Sequence, residues 1–175
     1  MASTPQIILP DLLAPGLAVV FCGSAAGRSS AAAGAYYAGP GNRFWPTLHK
    51  VGFTPRQVQP SEFRSLLDHG LGLTDLCKTA AGADHELPRG QDDAAALLRK
   101  IEQYQPRFLA FVGKRAAQAA LDRKLAYGLQ EVRFGPAQVF VLPSPSGAAR
   151  RYWDERPWAA LADLVKPPAG GSDRL

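Results

Sequence analysis

The sequence predicts an α/β fold, a three-layer α/β/α sandwich with a mostly parallel central sheet. Three observations carry that expectation. Apolar runs of strand length at 17–22, 71–76, 108–112 and 138–142 alternate with stretches of helical periodicity. The runs at 17–22 and 108–112 are apolar throughout, as strands covered on both faces are. Strands and helices that alternate along the chain give a parallel sheet between helical layers, joined by right-handed crossovers.

Taken in order, residues 1–10 carry no pattern and read as a flexible leader, and Pro15-Gly16 turns the chain into the first strand. That strand, 17–22, stops at Gly23. Asn42 is placed to cap a helix over 43–51, with Pro46 in the first turn, where a missing N–H costs little, and Gly52 at its end. Phe63, Leu66 and Leu67 share one face of a helix over 60–69, stopped by Gly70. The next strand, 71–76, leads into a polar, Ala/Gly-rich loop over 78–91. Asp92 is placed to cap a helix running to Tyr104, with Ala95, Leu98 and Ile101 as its apolar face. Strand 108–112 turns at Gly113 into an Ala-rich helix over 114–121. Residues 129–134 and 138–142 flank Gly135-Pro136 and read as a hairpin. A helix over 154–165 closes the single domain, 11–165, and 166–175 has the composition of a flexible tail.

Composition narrows the function classes. At 175 residues the chain fits one core, which commonly spans roughly 100–200 residues. No apolar run approaches the roughly 20 residues of a membrane span, and the expected location is the cytoplasm. The net charge of +5 favours a polyanionic partner. Two cysteines, Cys22 and Cys77, are too few for a disulfide framework, a four-thiolate cluster or an all-cysteine zinc site, so no metal or other cofactor is expected.

In a parallel sheet, ligands lie beyond the carboxyl ends of the strands. Loops 23–27, 113 onward and 143–147 all follow strands, and the first and last are expected to flank one crevice. Residues 17–45 are its centre, because small residues after Gly23 admit a ligand to the backbone, while Tyr36, Tyr37 and Asn42-Arg-Phe-Trp45 add aromatic faces and charge. The loop is no nucleoside triphosphate site. Gly23-Ser-Ala-Ala-Gly-Arg-Ser-Ser30 misses the P-loop spacing by one residue and has Arg where that motif requires Lys.

Several segments in order resemble the mismatch-specific uracil-DNA glycosylase and thymine-DNA glycosylase family. They are Asp11-Leu-Leu-Ala-Pro-Gly-Leu-Ala-Val-Val-Phe-Cys-Gly23, Gly27, Ser29-Ser30, Tyr37-Ala-Gly-Pro-Gly-Asn-Arg-Phe-Trp45, Gly72-Leu-Thr74, Tyr104-Gln-Pro106, Gly113-Lys114 and Leu142-Pro-Ser-Pro-Ser-Gly147. Asn-Arg-Phe-Trp and Pro-Ser-Gly are the specific elements among them. The resemblance implies a monomeric enzyme that flips uracil or a mismatched pyrimidine out of double-stranded DNA and hydrolyses its N-glycosidic bond. It implies base contacts from Ser24, Ala25, Gly27, Tyr37 and Asn42, with Tyr37 as stacking platform. DNA contacts would come from Arg43, Ser144, Ser146, Gly147, Ala148 and Arg150.

Two departures from the pattern matter. Ala148 stands where the family has a bulky wedge, and a methyl group fills a DNA stack poorly; Arg150 or Arg151 is expected to supply part of the plug. Ala25 stands where the family keeps the asparagine that positions the attacking water. A carboxylate is therefore expected to take over that work, with Asp93 and Asp75 ahead of Asp84 and Asp92, since Asp92 is assigned to capping. Lys78 and Lys114 read as surface or phosphate-contacting residues, which leaves a monofunctional hydrolase. The alternative is a damage-binding protein of the same fold in which Ala25 has ended turnover.

Overall fold

The computed structural model describes residues 6–87, 90 and 92–166. Five strands, β1 (Val19–Gly23), β2 (Leu71–Asp75), β3 (Phe108–Val112), β4 (Gly128–Phe134) and β5 (Ala137–Leu142), form one sheet in the order β2-β1-β3-β5-β4. All neighbours are parallel except the β4–β5 hairpin. Five α-helices cover it: α1 (Arg28–Ala33), α2 (Phe44–Lys50), α3 (Ala94–Tyr104), α4 (Lys114–Leu121) and α5 (Arg156–Val165). The expected α/β sandwich is the observed fold.

Side-chain alternation along each strand divides the core into two layers. Val19 and Phe21 of β1 enter one, with Phe44 and Leu48 of α2, Phe63, and Trp158 and Leu161 of α5. Val20 and Cys22 enter the other, with Leu97 and Ile101 of α3 and Ala116 and Ala117 of α4. Each fully buried large side chain contributes about 1.5–3 kcal/mol, so the parallel strands are held by both faces at once. Cys22 and Cys77 are buried and unpaired. Among the described residues no helix is long and apolar enough to cross a membrane.

The two sheet edges are treated differently. Strand β4 leaves alternate residues to solvent, as an antiparallel edge can. Strand β2 is covered: Leu12 pairs with Leu73 through N–H···O bonds of 2.9 Å in both directions. Gly72 permits the approach, because a Cβ there would lie 2.6 Å from the Leu12 carbonyl oxygen. That pairing anchors the segment before it. Leu9 is 1% exposed, Ile8 donates its N–H to Lys78 O at 2.8 Å, and Tyr36 Oη donates to Pro10 O at 2.9 Å. The expectation of an unpacked leader over 1–10 fails for residues 8–10, while 1–5 and the tail 167–175 lie outside the described residues.

Three elements differ from the sequence reading. The stretch after Gly27 forms the six-residue helix α1 rather than a link. Residues Pro60–His69 are a 3₁₀ helix, kinked at Glu62 (φ −98°, ψ 17°), which closes a capping box with Gln59. Helix α3 is capped by Asp93, whose Oδ1 accepts the Ala96 N–H at 2.9 Å, and not by Asp92.

Candidate active site at the strand ends

A cavity of about 570 Å³ opens at the carboxyl ends of the parallel strands. Its walls are the 23–27 loop, Tyr36 and Tyr37, Asn42, the segment 82–86, and Ser144 to Ala149. The loops after β1 and β5 thus line one cavity. At its floor lies Asp75, 6% exposed.

Register explains why a carboxylate is buried there. Asp75 pairs with Gly23 at the last rung of β1 and β2. With a period of two it shares a face with Leu71 and Leu73, which are core, so Asp75 stands where that apolar layer gives way to the cavity. Gly23 makes the room. A Cβ at that position would lie 2.8 Å from Asp75 Oδ1 and 3.1 Å from Tyr37 Oη. Burial raises the Asp75 pKa, Lys78 and Lys100 draw it down and Asp11 pushes it up, with the result at about 6.

Tyr37 is held in a strained position. Its φ is +53°, in the left-handed region that bulky residues rarely occupy, at a cost of about 1–3 kcal/mol. One ring face stacks on Phe44 at 4.0 Å between centroids with 20° between planes. Its buried hydroxyl has no hydrogen-bond partner among the described residues. Burial first, and then the Asp75 charge, push the phenol well above its ordinary pKa, so it remains a neutral donor. A carboxylate and an unpartnered phenol therefore converge on Gly23.

Behind them runs a charged network that the sequence reading missed. Asp11 accepts from Thr74 Oγ1 at 2.7 Å and pairs with Lys78 at 2.8 Å and Lys100 at 2.7 Å. Burial opposes its charge, but nearby Lys78 and the hydrogen bonds from Lys100, Lys78 and Thr74 outweigh it and hold Asp11 below the usual range. Lys78 also donates to Tyr36 Oη at 3.1 Å, and its side chain is 13% exposed. It is a partly buried partner of Asp11, not the surface lysine expected. Lys114 instead lies over the exposed Tyr127 ring at 4.4 Å.

The wall over 82–86 is bonded to the first loop through backbone. Leu76 N–H donates to Gly23 O at 2.8 Å, Cys77 N–H to Ser24 O at 2.7 Å, and Gly82 N–H to Ala26 O at 2.9 Å. At the mouth, Arg28 and Glu86 form an ion pair across the two segments, beside His85.

The opposite rim follows β5. Arg43 N–H donates to Pro145 O at 2.8 Å and Ser146 Oγ accepts from Ala148 N–H at 3.2 Å, so the loop is laced to the start of α2. A 3₁₀ helix, Gly147–Tyr152, then carries Ala148, Arg150, Arg151 and Tyr152 to the surface.

A sequence profile of the uracil DNA glycosylase superfamily matches residues 10–164, nearly the whole described domain. The chain belongs to that superfamily. Among solved structures it is similar to a candidate uracil DNA glycosylase from Methanosarcina acetivorans determined by solution NMR, with a TM-score of 0.61 and 20% identity. The match covers 90% of this chain and 96% of that one, and at this identity it speaks for the fold alone.

Within this superfamily member the sequence-derived residues divide into those that meet at the cavity and those that do not. Ser24, Ala25, Gly27, Tyr37, Asn42, Asp75, Ser144, Ser146, Gly147 and Ala148 line it. Asn42, expected to cap α2, lies one residue before its N-cap, Arg43, and its side chain accepts from Phe44 N–H at 2.9 Å; the Ser24 carbonyl is held by Cys77. Arg43 and Arg150 lie outside the lining; the Arg43 guanidinium covers Trp153 at 5.6 Å, while Arg150 is exposed. Asp93 is also outside it, and its carboxylate caps α3. That removes the reason for ranking it as a catalytic base. Asp92, expected to cap, makes a two-pronged pair with Arg115 at 3.0 and 3.2 Å. The Asp84 side chain lies outside the described groups. Tyr152 lines the mouth, and nothing in its sequence position singled it out.

Proposed function

We propose that the protein is a DNA glycosylase that draws uracil from DNA and hydrolyses its N-glycosidic bond. Asp75 holds and activates the attacking water in place of the asparagine expected at position 25. The observation that carries this reading is one buried carboxylate at the cavity floor, opposite Gly23 in the register and with its pKa raised to about 6. Such a group is ionised at pH 7 yet still basic enough to accept a proton.

The steps follow from charge. As the bond from C1′ to N1 of uracil lengthens, positive charge develops on the sugar, and the Asp75 anion beside it stabilises that charge. Water adds to C1′, passing its proton to Asp75. Uracil leaves as an anion at N1, and N–H groups of the 24–27 loop with the Tyr37 hydroxyl are the donors at hand. A Schiff-base route has less support. Lys78 Nζ is engaged by Asp11 and by Tyr36 Oη and does not line the cavity, whereas an amine nucleophile must be free to reach the sugar.

In this reading the protein works as a monomer in the cytoplasm, without a cofactor, on double-stranded DNA. Its resemblance to mismatch-specific uracil- and thymine-DNA glycosylases puts G·U and G·T pairs first among substrates. Ala25 favours a second reading, binding of damaged DNA without turnover. Incubation with G·U, A·U and G·T duplexes and single-stranded uracil, followed by alkaline cleavage of abasic sites, decides between them. Strand breaks at uracil are expected; retention of the duplex without breaks sinks the enzyme reading.

A further inference from the structure

We propose that Tyr152 is the residue that enters the duplex and fills the gap left by the flipped nucleotide. The inference rests on the glycosylase reading and adds a wedge in a place where the sequence pattern does not put one. At 72% exposure Tyr152 stands out among the exposed large apolar side chains of the described residues, and it lies at the mouth of the cavity. A ring so placed on a soluble surface calls for a partner with a flat apolar face, and a base stack offers one on each side.

Its mounting is firm. Ala149 N–H donates to Ser146 O at 3.0 Å and Trp153 N–H to Arg150 O at 3.3 Å, which closes the 3₁₀ turn at both ends. Trp153 then rests against fully buried Trp158, with ring centroids 6.0 Å apart. A side chain projecting from such a base enters a stack without first having to order its own backbone. Ala148, at the other end of the turn, offers only a methyl group. Arg150 and Arg151 precede the ring on the same turn, are exposed, and make no side-chain ion pair among the described residues, so they suit nearby backbone phosphates. On this proposal the ring takes the place in the stack for which Arg150 or Arg151 was expected to supply part of the plug.

The test uses the full chain with a uracil oligonucleotide, single-stranded or paired with guanine, and with 2-aminopurine next to the uracil. For Tyr152→Ala, the ratio of duplex to single-strand excision in single turnover should fall about tenfold or more relative to wild type, and Tyr152→Phe should restore it. The rise in 2-aminopurine fluorescence on binding wild type should be lost in Tyr152→Ala. Equal changes on both substrates, no change on either, or loss only in an Arg150→Ala/Arg151→Ala double variant would overturn the wedge. Failure of the glycosylase reading looks different: wild type excises from neither substrate. The fluorescence then decides alone, a Tyr152-dependent rise supporting the wedge and no rise with wild type overturning it.

Discussion

The cavity floor and its outer rim are built on opposite terms. At the floor, the last residues of β1 and β2 bring together a buried carboxylate, a phenol on a strained backbone that has no hydrogen-bond partner among the described residues, and a glycine with no room for a methyl group. At the rim, Gly147–Tyr152 presents exposed side chains on one short turn. The contrast separates two tasks. Positions at the floor are set to fractions of an ångström and suit bond breaking, whereas the rim suits engagement of a large, charged partner. Floor variants should therefore change the rate at saturating DNA, and rim variants the dependence on the form of the DNA and on salt.

The largest effect should come from Asp75→Asn, a loss of about 100-fold to 10,000-fold in single-turnover excision at pH 8 on single-stranded and duplex uracil alike. The wild-type rate should fall tenfold per pH unit below about 6, as Asp75 gains its proton, and the profile of Asp75→Asn should be flat. An unchanged rate in this variant would dissolve the distinction between floor and rim.

Stability should move the other way. Because the folded protein holds the Asp75 proton more tightly than the unfolded chain, the associated stability is present below the ordinary value of 3.8 and is lost as pH rises through about 6. At about 1.4 kcal/mol per unit, Asp75→Asn should be more stable than wild type by up to about 3 kcal/mol at pH 8, the gain vanishing towards pH 4. Denaturant melts at the two pH values measure this.

Gly23→Ala should rank next. The new methyl group must displace the Asp75 carboxylate or Tyr37, and a shift of that size costs about 100-fold in rate when it misplaces a reacting group. The loss should appear at saturating DNA. For the rim, Arg150→Ala/Arg151→Ala should lower the slope of log affinity against log salt by about one to two and leave the saturated rate within about twofold. A fall in that rate with an unchanged slope would reverse the assignment. The smallest effect belongs to Asp93→Ala, outside both regions, which should lower stability by about 1 kcal/mol through loss of the cap and leave excision within about twofold.

The four parallel strands were legible as mainly apolar runs closed by glycine, proline or a charged residue, and β4 by its alternation, and the order of the strands along the chain dictated which loops meet. Asp75 was legible for the same reason, as the residue at the end of such a run. What could not be read was set by register or by adjacency. Asp92 and Asp93 both precede the same apolar face, and tertiary contacts divide them: Asp93 N–H donates to Leu76 O at 3.0 Å and its carboxylate caps the helix, while Asp92 pairs with Arg115. After Arg28, helix α1 consists of small residues with no apolar period to betray it. The network of Asp11, Lys78 and Lys100 draws on three distant segments that meet because Leu12 covers the edge of β2. Tyr152 differs from any surface tyrosine only by its place beside the cavity.

The three backbone bonds between the loops after β1 and β2 bear on how this site can vary. Gly23 O, Ser24 O and Ala26 O are each held by an N–H from 76–82, so the shape of the first loop is set by the main chain and hardly by its side chains. The side chain at residue 25 can change without the loop collapsing, and the water-holding role proposed for Asp75 sits on the neighbouring strand. Length has no such freedom. One residue inserted in either loop would slip every bond in the ladder, so the site tolerates exchange of its chemistry but not of its spacing.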